Sequence, residues 1–251
     1  MEGYNKLVMS GHSKWATIKR QKGTMDIKRG LTFTKLSNAI YLAVKKGGGD
    51  TNVNSNFRLR LAVDFAKSEN MPKETIERAI NRAAGKGENV VEEVIYEGFS
   101  AEGVSVIVEA ATDNLKRTTS EIKSFFNKEG ATFGQPGAVS YQFRQVTSIE
   151  VSKDSKTIEE IFEHVVEAGA EDIEDIDEKV MVYANSQDAG KVKDKLIEKG
   201  FKVLGITLIR KPIVLMPIFD KEKLDKTINF LHKLEELDDV QKIYSNLDVQ
   251  Q

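Results

Sequence analysis

The 251-residue chain contains no cysteine, which excludes a disulfide scaffold, a cysteine nucleophile, an iron–sulfur site and every cysteine-containing zinc module. Its three histidines, His12, His164 and His232, lie far apart with no partner at metal-ligand spacing. The sequence therefore predicts no metal centre and no cofactor. No apolar run approaches the ~20 residues a bilayer span needs, and residues 1–9 lack the apolar centre of a secretory signal. A nucleophile elbow, a phosphate-cradling loop and a dinucleotide fingerprint are all missing. These absences predict a cytoplasmic chain with no membrane partner, and no set of residues asks for an enzyme.

What the chain does have is an uneven distribution of charge. Lys and Arg number 37 and Asp and Glu 39, for a net of −2. Residues 1–60, however, hold twelve basic side chains against only Glu2, Asp26 and Asp50, a net of +9 that leaves −11 on the rest. That asymmetry describes a basic arm on an acidic body.

Helical spacing dominates from Leu31 to about Ala84: Phe33, Leu36, Ile40 and Val44, then Leu59, Val63 and Ala66, then Ile76, Ile80 and Ala83. Gly47-Gly48-Gly49 closes the first of these helices, and Asn70-Met71-Pro72 offers an N-cap and an early proline for the third. After Gly85-Lys86-Gly87 the pattern turns to strands at Glu93–Phe99 and Gly103–Ala110, then a helix opened by Thr112-Asp113-Asn114, then a strand at Val139–Phe143. From Ser148 the order is β-α-β-β-α-β, with a capping box at Thr157 and Glu160, a helix opened by Ser186 and a last strand at Lys202–Leu208. A β-α-β remainder follows, with strands at Ile213–Met216 and Val240–Tyr244.

These elements predict an α+β protein of three domains, a helical bundle followed by two α/β, ferredoxin-like domains, one inserted in the other. The expected boundaries are 1–88 for the arm and helices, 89–145 plus 211–251 for the discontinuous domain, and 146–210 for the inserted one. Ten acids crowd Glu159 to Glu178 in the inserted domain. Asp172, Glu174 and Glu178 alternate with Ile173 and Ile176 as on a half-buried strand, which predicts a solvated acidic face that repels phosphate.

The basic arm carries the functional signal. Lys14, Lys19, Arg20, Lys22, Lys28, Arg29 and Lys35 surround the single tryptophan, Trp15, with Asp26 the only acid among them. Cations neutralise phosphates while an aromatic ring stacks on an unpaired base, so these eight residues are the candidate nucleic-acid contacts. Packing of the arm against its own acidic domains, with Trp15 as an apolar anchor, is the competing use.

The segment Met9-Ser10-Gly11-His12-Ser13-Lys14-Trp15-Ala16-Thr17-Ile18-Lys19, with Lys28-Arg29-Gly30, Phe33-Thr34-Lys35-Leu36 and Met71-Pro72-Lys73-Glu74, resembles the opening of the YebC/PmpR family. Further matches are Tyr96-Glu97-Gly98, Thr112-Asp113-Asn114, Arg117-Thr118 and Asp239-Val240-Gln241, so the resemblance runs through the whole chain from Met9. It implies a three-domain protein with a non-enzymatic role in gene expression. Members are described as probable transcriptional regulators, others as translation factors that relieve ribosome stalling, and mitochondrial relatives as translational activators. This chain departs at Arg20-Gln21, where members commonly have His-Lys, and at Asn38-Ala39, where a basic-acidic pair is usual. Residues 1–8 precede the usual start and are too short and poor in Arg for a transit peptide.

Two functions follow as expectations. One is a DNA-binding transcriptional regulator acting through the basic N-terminal region. The alternative is a translation factor bound to ribosomal RNA or the ribosome. Oligomeric state is not legible in the sequence.

Overall fold

The computed structural model describes residues 33–86, 90–154, 156–176 and 178–248. Contacts divide these residues into two compact units, one of 33–139 with 220–243 and the other of 140–219 with 244–248.

The first unit opens with three helices, α1 (Phe33–Lys46), α2 (Phe57–Ser68) and α3 (Lys73–Asn81). Their periodic apolar residues form its core, with Leu36, Ile40, Val44, Leu59, Val63, Ala66 and Ile76 all buried. Asn56 caps α2 by accepting from the Leu59 N–H at 3.0 Å, and its amide donates to Ala43 O and Asp50 O at 3.2 and 2.8 Å. A Cβ on Gly47 would lie 2.2 Å from that amide, so the loop after α1 closes only around a glycine. The cap of α3 differs from expectation. Pro72 holds the N-cap position, while Asn70 ends the preceding turn at φ 61°.

Strands β1 (Glu92–Phe99) and β2 (Ser105–Thr112) pair antiparallel from Glu92↔Thr112 to Phe99↔Ser105. Helix α4 (Leu115–Lys128) follows, capped by Asn114, and β3 (Thr132–Phe133) adds to the free side of β1. Gly98 lets β3 approach, because a Cβ there would stand 2.4 Å from Thr132 O and 2.5 Å from the Phe126 ring. The expected strand at Val139–Phe143 is replaced by this shorter one. Ser140–Gln142 coil into a 3-10 turn, and the Val139 N–H is taken by the Glu97 carboxylate at 2.7 Å instead of by a neighbouring strand.

Val91 and Ala111 are buried in the same cluster as the apolar residues of α1–α3.

The second unit runs β4 (Phe143–Ser152), α5 (Ile158–Ala168), β5 (Asp172–Ile176), β6 (Lys179–Ala184), α6 (Ala189–Glu198) and β7 (Val203–Pro212). The strand order β5-β6-β4-β7, antiparallel at every pair, is that of a ferredoxin-like sheet. Ile149, Val151, Val180 and Val182 face Ile161, Val165, Val192 and Leu196 in its core. Thr157 and Glu160 form both bonds of the capping box at α5. Helix α6 instead starts after Asp188, later than Ser186, and has no side-chain cap.

The strand expected at Ile213–Met216 shrinks to β8 (Met216–Pro217). The chain re-enters the first unit with α7 (Lys221–Glu235), capped by Asp220, and β9 (Val240–Ser245), which extends the sheet as β3-β1-β2-β9. The last strand, β10 (Leu247–Asp248), pairs parallel with β8.

Candidate nucleic-acid interface

Of the eight residues the sequence singles out, Lys14, Trp15, Lys19, Arg20, Lys22, Lys28 and Arg29 lie outside the described residues. Lys35 is described and has other work. It sits in the first turn of α1, 8% exposed, and its Nζ donates to the carbonyl of Glu235 at 2.6 Å. Glu235 ends α7, where unpaired carbonyls gather partial negative charge that a cation satisfies. Lys35 therefore ties α1 to α7, and this engagement removes it from a phosphate-facing set.

The helices carry cations that charge counting over the arm passed over. Residues 33–85 hold nine basic side chains against five acidic ones. Most are engaged within the fold: Lys46 pairs with Glu93 at 2.6 Å, the Arg60 Nε donates to Val53 O at 3.1 Å, and Arg82 donates to Asn38 Oδ1 at 2.9 Å and lies over the Tyr41 ring. Arg58 is exposed on α2, off the buried Leu59-Val63-Ala66 face, and the periodicity of those three residues was the signal that could have found it. Asn38, one of the departures from the family pattern, is 4% exposed and donates to Ala111 O at 2.9 Å, a packing role.

Two motif groups far apart in sequence meet around Asp239. Its carboxylate, 4% exposed, accepts from the Thr118 hydroxyl at 2.5 Å and from Arg117 Nη2 at 2.9 Å. Thr118 in turn contacts the Thr112 hydroxyl at 2.7 Å, which accepts from the Asn114 N–H at 2.9 Å. The hydrogen bond and charge of Asp239 push the Arg117 guanidinium further toward its charged form. Nearby, burial and then the charges of Asp239 and Asp238 raise the Glu121 carboxyl above its ordinary value. The cluster fastens α4 to the start of β9.

Glu97 is used similarly. It is 6% exposed, and its two oxygens accept from the Gly137 and Val139 N–H groups at 2.9 and 2.7 Å, so it holds the 134–139 loop from beneath.

The acidic region of the second unit is not uniformly solvated. Glu174 is 3% exposed and accepts from the Tyr183 hydroxyl at 2.6 Å, while Asp172 pairs with buried Lys211. Glu174 thus corrects the expectation of a wholly solvated face, because β5 turns it beneath Tyr183 on the neighbouring β6. Among the described residues no group of three or more His, Cys, Asp or Glu is placed to hold a metal ion. No described helix is long and apolar enough to cross a membrane.

Comparison with known proteins places these features in context. Residues 13–86 match the model of the TACO1/YebC protein N-terminal domain, and residues 91–247 match that of the TACO1/YebC second and third domain. A probable transcriptional regulatory protein of Thermotoga maritima is 44% identical over 244 residues, 96% of this chain and 94% of that protein. One of the same description from Persephonella marina is 44% identical over 245 residues, 97% of each. One from Chloroflexus aurantiacus is 42% identical over 96% of each. The crystal structure of a conserved hypothetical protein from Aquifex aeolicus superposes with a TM-score of 0.77 at 41% identity, covering 95% of this chain and 98% of that one.

Proposed function

The chain belongs to the TACO1/YebC family, and from that premise we propose a non-enzymatic regulator of gene expression that binds DNA through its cationic N-terminal region. Relatives named probable transcriptional regulatory proteins support a regulatory role. The observation that carries nucleic-acid binding is the polarity of charge, +9 on residues 1–60 against −11 on the remainder. A polyanion is attracted to the first and repelled by the second. The proposed contacts are Lys14, Trp15, Lys19, Arg20, Lys22, Lys28 and Arg29. We further propose that the family's three-domain division applies, with the helices as its first domain.

A second reading, a translation factor on ribosomal RNA, is favoured by Trp15 among cations, a combination suited to stacking on unpaired bases.

One experiment tests both. With Lys14, Lys19, Arg20 and Lys22 changed to Ala, binding weakens and its salt dependence flattens from a log–log slope of roughly −5 for duplex DNA, or about −4 for single strands, as expected for about six phosphate contacts. Affinity unchanged by the four substitutions refutes the assignment. Ribosome co-sedimentation lost in the same variant favours translation, and promoter binding without ribosome association favours transcription.

A further inference from the structure

The first unit holds a cleft of about 290 Å³ where the β1–β2 turn, the end of α4 and the middle of α7 meet. Its lining includes Ser100, Glu102, Glu129, Lys226, Thr227 and Phe230. A cleft of this volume suits a short ligand. Ser100, Thr227 and Phe230 are buried, and the Phe230 ring is fixed by stacking on Phe125 and by the edge of Phe126. A threonine inside a helix ordinarily turns its hydroxyl back to the carbonyl four residues earlier, as Thr118 and Thr119 do toward Asn114 and Leu115 at 3.1 and 2.7 Å. Thr227 does not. It is 2% exposed, and among the described residues its hydroxyl has no hydrogen-bond partner. A buried hydroxyl left so costs stability until a ligand satisfies it.

Two carboxylates set the charge of the wall. The Glu102 and Glu129 side chains are 25% and 21% exposed, and more exposed lysines reach them from solvent: Lys223 stands 3.8 Å from Glu102 Oε2, and Lys233 donates to Glu129 Oε1 at 3.0 Å. The second oxygen of each carboxylate has no partner among the described residues. Glu129 is also the C-cap of α4, so the partial negative charge of that helix end falls on the same wall. Lys226, the cation of the lining, is held by Glu222 at 2.7 Å. Anions are disfavoured in such a cleft, and positively charged N–H donors are favoured. We propose that it binds a small organic cation, an alkylammonium or guanidinium group, whose N–H groups donate to Glu102, Glu129 and the Thr227 hydroxyl while its carbon chain lies against Phe230. Such a group comes either from a free amine or from a basic side chain of a protein. None of the seven residues proposed as nucleic-acid contacts belongs to the lining, so the two readings stand or fall separately.

Isothermal titration of the full-length chain with agmatine, which carries a guanidinium at one end and an ammonium at the other, tests this. Agmatine binds in equimolar amount, and Glu129→Gln weakens it by about tenfold or more, as expected for a charge-assisted hydrogen bond. Thr227→Val weakens it by about three- to tenfold, while the urea midpoint holds or rises because an unsatisfied hydroxyl has been removed. Nucleic-acid affinity is unchanged in both variants. N-acetyl-argininamide, which mimics a protein side chain, separates the two sources: tighter binding of agmatine identifies a free amine, and binding of the argininamide as tight or tighter identifies a basic side chain. No heat from either probe up to about 10 mM overturns the proposal. So does equal agmatine affinity in the unaltered chain and both variants, as general adsorption to an acidic surface would give, or displacement of agmatine by inorganic phosphate.

Discussion

Replacing Thr118 by valine removes one hydroxyl from the cluster at Asp239 and keeps the side chain's shape. Thr118 is fully buried and Asp239 4% exposed, so the bond between them, at 2.5 Å, is shielded from water. A hydrogen bond to a charged group contributes about 1.5–3 kcal/mol, and the Thr112 hydroxyl, 1% exposed, keeps the Asn114 N–H but loses its contact with Thr118, which adds about 1 kcal/mol or less. The expected cost of Thr118→Val is therefore about 2–4 kcal/mol. Arg117→Ala removes the other donor, but that side chain is 52% exposed, so solvent screening limits its loss to about 1 kcal/mol or less. Urea unfolding followed by far-ultraviolet circular dichroism measures both. A Thr118→Val cost below about 0.5 kcal/mol, or one no larger than that of Arg117→Ala, would refute the reasoning that burial decides which bond matters.

Glu97→Gln should destabilise the first unit by about 2–3 kcal/mol, because an amide keeps one acceptor oxygen and turns its NH2 toward a loop N–H that then has no acceptor; chemical denaturation reads this, and a neutral result refutes the clamp. Gly98→Ala should cost about 1–3 kcal/mol by forcing β3 and Phe126 away, and an unchanged midpoint would show that the contact relaxes freely. Glu121→Gln should raise stability at neutral pH, with a gain that disappears in acid. The folded carboxyl titrates above its ordinary 4.5, so the penalty on its charged form is fully present above the folded value and absent below the unfolded one. Equal effects at pH 7 and below 4.5 would contradict this. Lys35→Met should lower stability, through the lost bond to the α7 terminus, while leaving DNA and RNA affinity unchanged; a flattened salt dependence in this variant would return Lys35 to the interface.

The elements whose signals are local were legible from the chain. The capping box at Thr157 and Glu160, the glycine stop after α1 and the alternation in β1 and β2 each act within a few residues, so they form wherever the fold places them. Signals that need a distant partner misled or stayed silent. Val139–Phe143 alternates like a strand, yet Glu97 captures its first N–H and a 3-10 turn follows. Lys35 counts as one more arm cation until α7 brings a helix terminus to it. Glu174 reads as one of ten acids until Tyr183 covers it.

By itself, then, the sequence determined the α+β class, the family, the order of strands and helices and the polarity of charge, because composition, periodicity and capping are properties of the covalent chain. Only the tertiary structure decided which charges are spent inside the fold. Burial and hydrogen bonding between residues as far apart as Thr118 and Asp239 exist only once the chain has returned on itself.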